Sequence, residues 1–134
     1  MKTLTRMFAS KEVKAVLGVL DEADQRFNCP IFERVKKQIE QEVLAHADDV
    51  TNLIVKGNSA REIVFTTITD ITGDLVESGQ FHIYRGVLNP MNGGEDLLRI
   101  YDAAVDELLQ IGAVTKDHAA NCKESLRRNI KNAG

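Results

Sequence analysis

The segment QFHIYRG, residues 80–86, brings three chemically useful side chains close together: His82, Tyr84 and Arg85. Imidazole is the group most often used for general acid–base catalysis, and a neighbouring phenol can help to orient a ligand. If the segment is a strand, however, His82 and Tyr84 share one face and Arg85 points to the other. A structural role is therefore favoured. His82 and Tyr84 remain candidate catalytic residues, and all three remain candidates for ligand binding.

Cys29 is the third candidate for catalysis. It precedes Pro30 in what the sequence predicts to be the first turn of a helix, a position that increases the reactivity of a thiol. No nucleophile signature surrounds it, so an unreactive, buried cysteine is the alternative. Cys122 falls on the apolar stripe of the last predicted helix and is expected in the core.

The segment NPMNGGED, residues 89–96, places glycines before a predicted helix, as phosphate-binding loops do. It lacks the lysine and the hydroxyl residue of a P-loop and does not match the dinucleotide-binding spacing. Glu95 and Asp96 would themselves occupy the positive end of the helix dipole and repel phosphate. We therefore predict a capping turn, and we predict no cofactor.

Two groups of residues invite comparison with a metal site. His46, Asp48 and Asp49 are close in sequence, but nothing elsewhere in the chain complements them at ligand spacing. Asp102 and Asp106 are four residues apart and share a helix face, which is typical of a solvated acidic surface. No metal is predicted.

Charge is distributed unevenly along the chain. Residues 1–14 and 115–134 carry +3 each, so the segment between them must carry -9 for the total of -3. The basic ends could bind an acidic protein partner or the acidic middle of a sister chain, or they could be solvated surface. The acidic total argues against nucleic-acid binding, for which the last helix offers only a weak signal: Lys123, Arg127, Arg128 and Lys131.

Apolar periodicity predicts helices in the first part of the chain. The first spans residues 11–26 with Ser10 as its N-cap. Asn28-Cys29-Pro30 then breaks this helix and starts a second one, which Asn28 can cap and which could run to Ala47. A short helix follows from Asp48 or Asp49 and ends at a C-cap, Gly57.

Helical periodicity returns near the C-terminus. One predicted helix is ended by Gly112, and its apolar stripe consists of Leu97, Tyr101, Ala104 or Val105, Leu108 and Ile111. Thr115 caps the last helix, whose inward positions are Ala119, Cys122, Leu126 and Ile130.

Between these helices, residues 61–88 are rich in β-branched and aromatic residues and predict an antiparallel hairpin. Gly73-Asp74 suits its type II′ turn. The predicted cross-strand pairs are Glu62 with Arg85, Val64 with Ile83, Thr66 with Phe81, Ile63 with Tyr84, and Phe65 with His82. A bulge at Ser78-Gly79 would shift this register by one residue.

These elements predict an α+β fold in the order helix, helix, β-hairpin, helix, helix, with the hairpin covered by four or five helices. Both hairpin faces carry large apolar residues, so a homodimer that buries the second face is expected. The chain is predicted to form one domain over residues 1–134, with residues 1–9 as a possible flexible arm. Either Met1 or Met7 could be the start.

No run reaches transmembrane length and no secretory signal is visible, so the sequence predicts a cytoplasmic protein with reduced thiols and no membrane contact. The leading functional hypothesis is a non-enzymatic interaction or accessory domain that acts as a homodimer. The alternative is a small-molecule-binding protein or enzyme whose pocket lies beside the hairpin and uses His82 and Tyr84.

Overall fold

The computed structural model describes residues 9–77, 83–84, 87–88 and 94–133, and most of this part of the chain is helical. It contains six helices: α1 (Lys11–Phe27), α2 (Pro30–Ala45), α3 (Ala47–Val55), α4 (Ala60–Glu77), α5 (Gly94–Gln110) and α6 (Lys116–Ala133). Between α4 and α5, two residue pairs, β1 (Ile83–Tyr84) and β2 (Val87–Leu88), run antiparallel, with Ile83 opposite Leu88.

The first two helices meet at a tight junction. Ser10 caps α1 as predicted, because its hydroxyl accepts a hydrogen bond from the Val13 amide at 3.2 Å. Asn28 ends α1 in the left-handed conformation, with φ of 39°, and its backbone N–H donates a hydrogen bond to the Asp24 carbonyl. The prediction that Asn28 caps the second helix was therefore wrong. Cys29 is the residue before α2, and Pro30 occupies its first turn.

Glycine ends two of the helices, as predicted. Gly57 after α3 and Gly112 after α5 have φ of 111° and 77°, which disfavours side chains with a Cβ atom. Each follows the Schellman pattern: Asn58 donates to the Leu53 carbonyl, and Ala113 donates to the Leu108 carbonyl. The second helix ends at Ala45, two residues earlier than expected, and α3 begins at Ala47.

The predicted hairpin over residues 61–88 was wrong, and with it the α+β class. Residues 60–77 form a continuous helix, so Gly73 lies inside α4 and not in a turn. The buried residues of α4 recur at helical spacing along one face: Val64, Phe65, Ile68, Ile71, Thr72 and Leu75. Five predicted strand pairs fail for the same reason, since their first members all lie on this helix.

Thr67, Thr69 and Thr72 of α4 donate their hydroxyl groups to carbonyls of the preceding turn. Thr67 donates to the Ile63 carbonyl and Thr72 donates to the Ile68 carbonyl, both at 2.7 Å. Such bonds to the preceding turn allow a buried threonine such as Thr72 to remain in a helix without an unpaired polar atom. The β-branched composition of this segment therefore does not prevent helix formation.

The core lies where α4 packs against α5 and α1, and α2 closes it from a third side. Phe27 and Phe32 stack at the α1–α2 junction with ring centroids 5.1 Å apart. The apolar residues of α4 thus find their partners within the same chain. The two-faced hairpin that suggested a homodimer does not exist, so the dimer now has no structural argument behind it.

On the predicted stripes of the last two helices, Tyr101 is partly buried, and these residues are buried: Leu97, Ala104, Val105, Leu108, Ala119 and Leu126. Ile111 was expected in the core and is 39% exposed, and Cys122 is only partly buried. Thr115 caps α6 as predicted, accepting from the His118 amide at 3.1 Å. No helix in the described ranges is long and apolar enough to span a bilayer.

Candidate functional site

The residues proposed from the sequence fall partly outside the described part of the chain. His82 and Arg85 lie outside the described residues, and Tyr84 is described only as part of the two-residue strand β1. Cys29 lies at the N-terminal end of α2, partly buried against the core. The predicted grouping of His82, Tyr84 and Cys29 therefore stays a prediction.

A cavity of about 210 Å³ lies elsewhere, between α4, α5 and α6. We call it the α4–α5–α6 cavity. Three of the lining residues are apolar: Val105 and Leu108 of α5 and Val114 of the α5–α6 loop. The remaining lining is polar: Thr66, Thr69, Asp70, Tyr101, His118 and Cys122. Apolar side chains combined with a few polar groups are the usual composition of a small-molecule site.

The helix α6 contributes a thiol and an imidazole to this cavity. His118 and Cys122 are four residues apart and therefore lie on the same helix face. Cys122 Sγ and His118 Nε2 are 3.5 Å apart, within hydrogen-bond distance for sulfur. The N-terminal cap at Thr115 fixes the turn that carries His118. A thiol beside an imidazole is a pair that can support nucleophilic chemistry.

Tyr101 of α5 connects the two helices behind this pair. Its hydroxyl donates to the Cys122 carbonyl at 3.4 Å, a long hydrogen bond. Burial raises the pKa of Tyr101 to about 12, and neighbouring Cys122, Asp102 and Asp70 act in the same direction. The phenol is therefore neutral at physiological pH and remains a hydrogen-bond donor.

Asp70 of α4 is the acidic group of the cavity. Its side chain is exposed, and partial desolvation raises its pKa; the charge of Asp74, one helical turn further on, raises the pKa further. A carboxyl group with a raised pKa in the same lining as an imidazole and a thiol is the kind of perturbed group that accumulates at functional sites.

A shallower groove of about 250 Å³ adjoins the cavity and shares Tyr101, His118 and Cys122 with it. Gly73 of α4 lines this groove, and a Cβ atom there would lie 3.9 Å from the Tyr101 ring, in ordinary contact. The thiol and imidazole can therefore be reached from two sides.

A second polar group lies on another face of α5, and we call it the Glu107 cluster: Glu107, Arg26, Arg61 and Glu22. Arg61 donates to Glu107 Oε1 at 2.6 and 3.0 Å, and Arg26 donates to Oε2 at 3.2 Å. Burial by itself would raise the pKa of Glu107, but the hydrogen bonds and charges of Arg61 and Arg26 outweigh it and lower that pKa. Every oxygen of this carboxylate has a cationic partner, which indicates a structural role.

The acidic face of α5 is neutralised by α6. Asp102 pairs with Arg127 and Asp106 pairs with Lys123, each at 2.5 Å. Lys123 and Arg127 thus pair with acidic residues of the same chain. The sequence had suggested an acidic partner or the acidic middle of a sister chain for these basic residues. This pairing also removes two of the four cations proposed for nucleic-acid contact.

The other predicted metal candidates remain a surface feature. His46 Nδ1 and Asp49 Oδ2 are 3.9 Å apart, and both side chains are more than two-thirds exposed. In residues 9–77 and 94–133, no group of three histidine, cysteine or acidic side chains is placed to hold a metal ion. The absence of a cofactor stays a prediction.

Sequence reasoning missed His118 and placed Cys122 in the core. The spacing H-x-x-x-C at residues 118–122 was the available signal, because four-residue spacing puts both side chains on one helix face. The contributions of α4 and α5 gave no such signal, since residues 66–70 were assigned to a strand.

No family model matches the chain, no curated protein is similar to it, and no solved structure resembles it. Function is therefore argued from the site alone.

Proposed function

We propose that the protein binds a small molecule in the α4–α5–α6 cavity. The observation that carries this proposal is the composition of the cavity, in which Val105, Leu108 and Val114 occur together with a set of polar groups that includes Tyr101 and His118. The apolar side chains would hold the carbon skeleton of the ligand, and the polar groups would fix its orientation.

The size of the cavity limits the ligand. A buried cavity of roughly 150 Å³ is enough for benzene, so a volume of about 210 Å³ suits a single ring or a short branched chain with one or two polar atoms. Asp70 lines the same space and disfavours an anionic ligand by repulsion. A neutral or cationic amphipathic molecule is the class that fits.

The experiment uses the uniformly ¹⁵N-labelled chain and three probes of similar size: phenol, benzyl alcohol and toluene. We expect the two alcohols to shift the amide signals of Thr66, Tyr101 and Cys122 at lower concentration than toluene does, because only they satisfy the polar lining. Weak affinity, with Kd of about 1 mM, is expected for ligands this small.

A blocking variant and a matched control test the location. Thr66 is exposed at the rim of the cavity, and Thr66→Phe should fill its entrance and weaken phenol binding about tenfold. Gln38→Phe places the same ring on an exposed position of α2 and should leave binding unchanged. Equal affinity in both variants, or shifts that map to other helices, would refute the proposal.

The leading hypothesis from the sequence, a non-enzymatic interaction domain acting as a cytoplasmic homodimer, stays a prediction. Among the described residues, the exposed large apolar side chains are Leu53, Val55 and Ile111, and Val55 is 73% exposed. Single exposed apolar residues are normal on protein surfaces, so they do not favour a docking site. Native mass spectrometry decides the dimer: one chain has a mass of 14.9 kDa, and a dimer has twice that mass.

A further inference from the structure

The two cysteines of the chain differ in their surroundings. Cys122 lines the α4–α5–α6 cavity and also the adjoining groove, and its Sγ lies 3.5 Å from His118 Nε2. Cys29 precedes α2 and packs against the core, where its carbonyl accepts hydrogen bonds from the Phe32 and Glu33 amides. The thiol at Cys122 therefore combines access, a base within reach and a bounded space in front of it.

We propose that Cys122 is a covalent capture site for small, neutral α,β-unsaturated carbonyl compounds that enter the cavity, with His118 as the base. This inference rests on the proposed function, because the electrophile must first occupy the cavity. It adds to that function a reactive atom and a class of ligand.

The reaction is a conjugate addition and needs no further reagent. The S–H bond of Cys122 breaks and its proton passes to Nε2 of His118, while sulfur forms a bond to the β-carbon and the carbon–carbon π bond breaks. The electron pair of that π bond moves into the enolate. The α-carbon then takes the proton back from His118, which leaves a saturated thioether and a neutral imidazole.

The lining of the cavity matches this class of compound. Val105, Leu108 and Val114 contact the carbon skeleton, and the hydroxyl of Thr66 can donate a hydrogen bond to the carbonyl or enolate oxygen. Asp70 lies in the same lining and disfavours electrophiles that carry a negative charge. Neutral enones of about one ring are therefore preferred to unsaturated carboxylates.

The position of His118 supports its role as base. It is exposed on α6, its backbone amide is held by the Thr115 cap, and its ring lies one helical turn before the thiol. Tyr101 holds the backbone of Cys122 from the opposite side through its hydrogen bond to the Cys122 carbonyl. The pair is thus fixed to α6 and to α5.

The test treats the full-length chain with cyclohex-2-en-1-one and follows the thioether at each cysteine by peptide mass spectrometry. We expect Cys122 to react about tenfold faster than Cys29, which serves as the internal reference. His118→Gln keeps a polar side chain of similar length but removes the base, and it should lower the Cys122 rate about tenfold. The matched control is His46→Gln, at the exposed histidine after α2, which should change neither rate.

Phenol binding is measured on the same preparation, so that the two proposals can fail separately. If phenol binds but Cys122 reacts no faster than Cys29, or reacts equally fast in His118→Gln, the capture site is overturned and the proposed function stands. If phenol does not bind, both are overturned. Saturation of the Cys122 rate with enone concentration, lost in Thr66→Phe, is the result that supports both.

Discussion

The Glu107 cluster and the α4–α5–α6 cavity both include residues of α5, yet the pKa of a carboxyl group is shifted in opposite directions in the two regions. Glu107 is 10% exposed and its two oxygens are bound by Arg61 and Arg26, so its pKa is lowered. Asp70 is near Asp74, and its pKa is raised. The carboxyl group of Glu107 is therefore held in its ionised form, whereas that of Asp70 is easier to protonate.

The two carboxyl groups differ in burial as well as in partners, since Glu107 is buried and Asp70 is exposed. Desolvation acts on both carboxyl groups in the same direction, and only the arginines reverse its effect at Glu107. A carboxylate paired with arginines can hold helices together, whereas a carboxylate next to another carboxylate is more often found at a functional site. The Glu107 cluster is therefore assigned a structural role, and the cavity is proposed as the functional site because of its lining.

Removal of the central carboxylate should give the largest effect. Glu107→Ala leaves Arg26 and Arg61 without their shared counter-charge beside the core, and we expect a loss of about 2 kcal/mol in the free energy of unfolding. The figure is moderate because both arginines are partly exposed, at 50% and 40%. Urea unfolding followed by circular dichroism measures it.

The neighbouring Asp106→Ala is the matched control. Asp106 is 59% exposed and pairs with Lys123 across the surface, so its loss should cost about 0.5 kcal/mol or less. Equal losses for the two variants would mean that the Glu107 cluster is no more structural than a surface ion pair.

The acid dependence of stability should separate the two carboxylates. The folded pKa of Glu107 lies below its ordinary value of 4.5, so its stabilisation is present above that value and is lost as the pH falls through the folded pKa. The folded pKa of Asp70 lies above 3.8, so its ionised form destabilises the folded protein at neutral pH. This destabilisation is relieved as the pH falls through the raised pKa.

Urea midpoints measured from about pH 7 to about pH 3 test both signs. Glu107→Gln should flatten the acid loss of stability, and Asp70→Asn should raise stability at neutral pH and steepen the loss in acid. Parallel curves for wild type and both variants would contradict the assigned shifts.

Tyr101→Phe should have a smaller effect. It retains the ring and removes the hydrogen bond to the Cys122 carbonyl, which predicts a loss of about 1 kcal/mol or less, since the bond is long at 3.4 Å. Amide hydrogen exchange should increase in α6 around Cys122 and remain unchanged around Glu107. A uniform increase along both helices would show that the bond does not act locally.

The smallest expected change is a stabilisation. Asp74→Lys replaces a like-charge pair on α4 with an attractive one at four-residue spacing, and we expect a gain of about 0.5 kcal/mol. Asp74→Asn removes only the repulsion and should give about half of that gain. Thermal unfolding at low salt measures both, and a loss of stability in either would contradict the repulsion between Asp70 and Asp74.

The helix ends were well predicted because capping is a local interaction. Ser10, Gly57, Gly112 and Thr115 each act on backbone groups a few residues away, so their chemistry is visible in a short window of sequence. Asn28 was assigned to the start of the second helix, but it ends the first one. It can start a helix with its side chain or end one in the left-handed conformation, and the sequence offers both roles.

The helix α4 was not predicted, although its pattern carried the information. Val64, Ile68, Ile71 and Leu75 follow helical spacing, but the many threonines and isoleucines of the segment favoured a strand. The preference of a single β-branched residue against helix is below about 1 kcal/mol, and burial of one face against α5 and α1 outweighs the sum.

The candidate site likewise combines residues that a local pattern brings together with residues that only tertiary packing brings together. The pair His118 and Cys122 was present in the sequence as a four-residue spacing, because one helix alone brings those side chains together. Asp70 and Tyr101 join them only because α4 and α5 pack beside α6, and no local rule relates residues that lie more than 15 positions apart in the chain. Sequence by itself determined the helix ends that are capped by Ser10, Gly57, Gly112 and Thr115, since caps and turns are short-range. Tertiary packing decided that residues 60–77 are helical and which side chains share a cavity, since burial depends on partners that are distant in sequence.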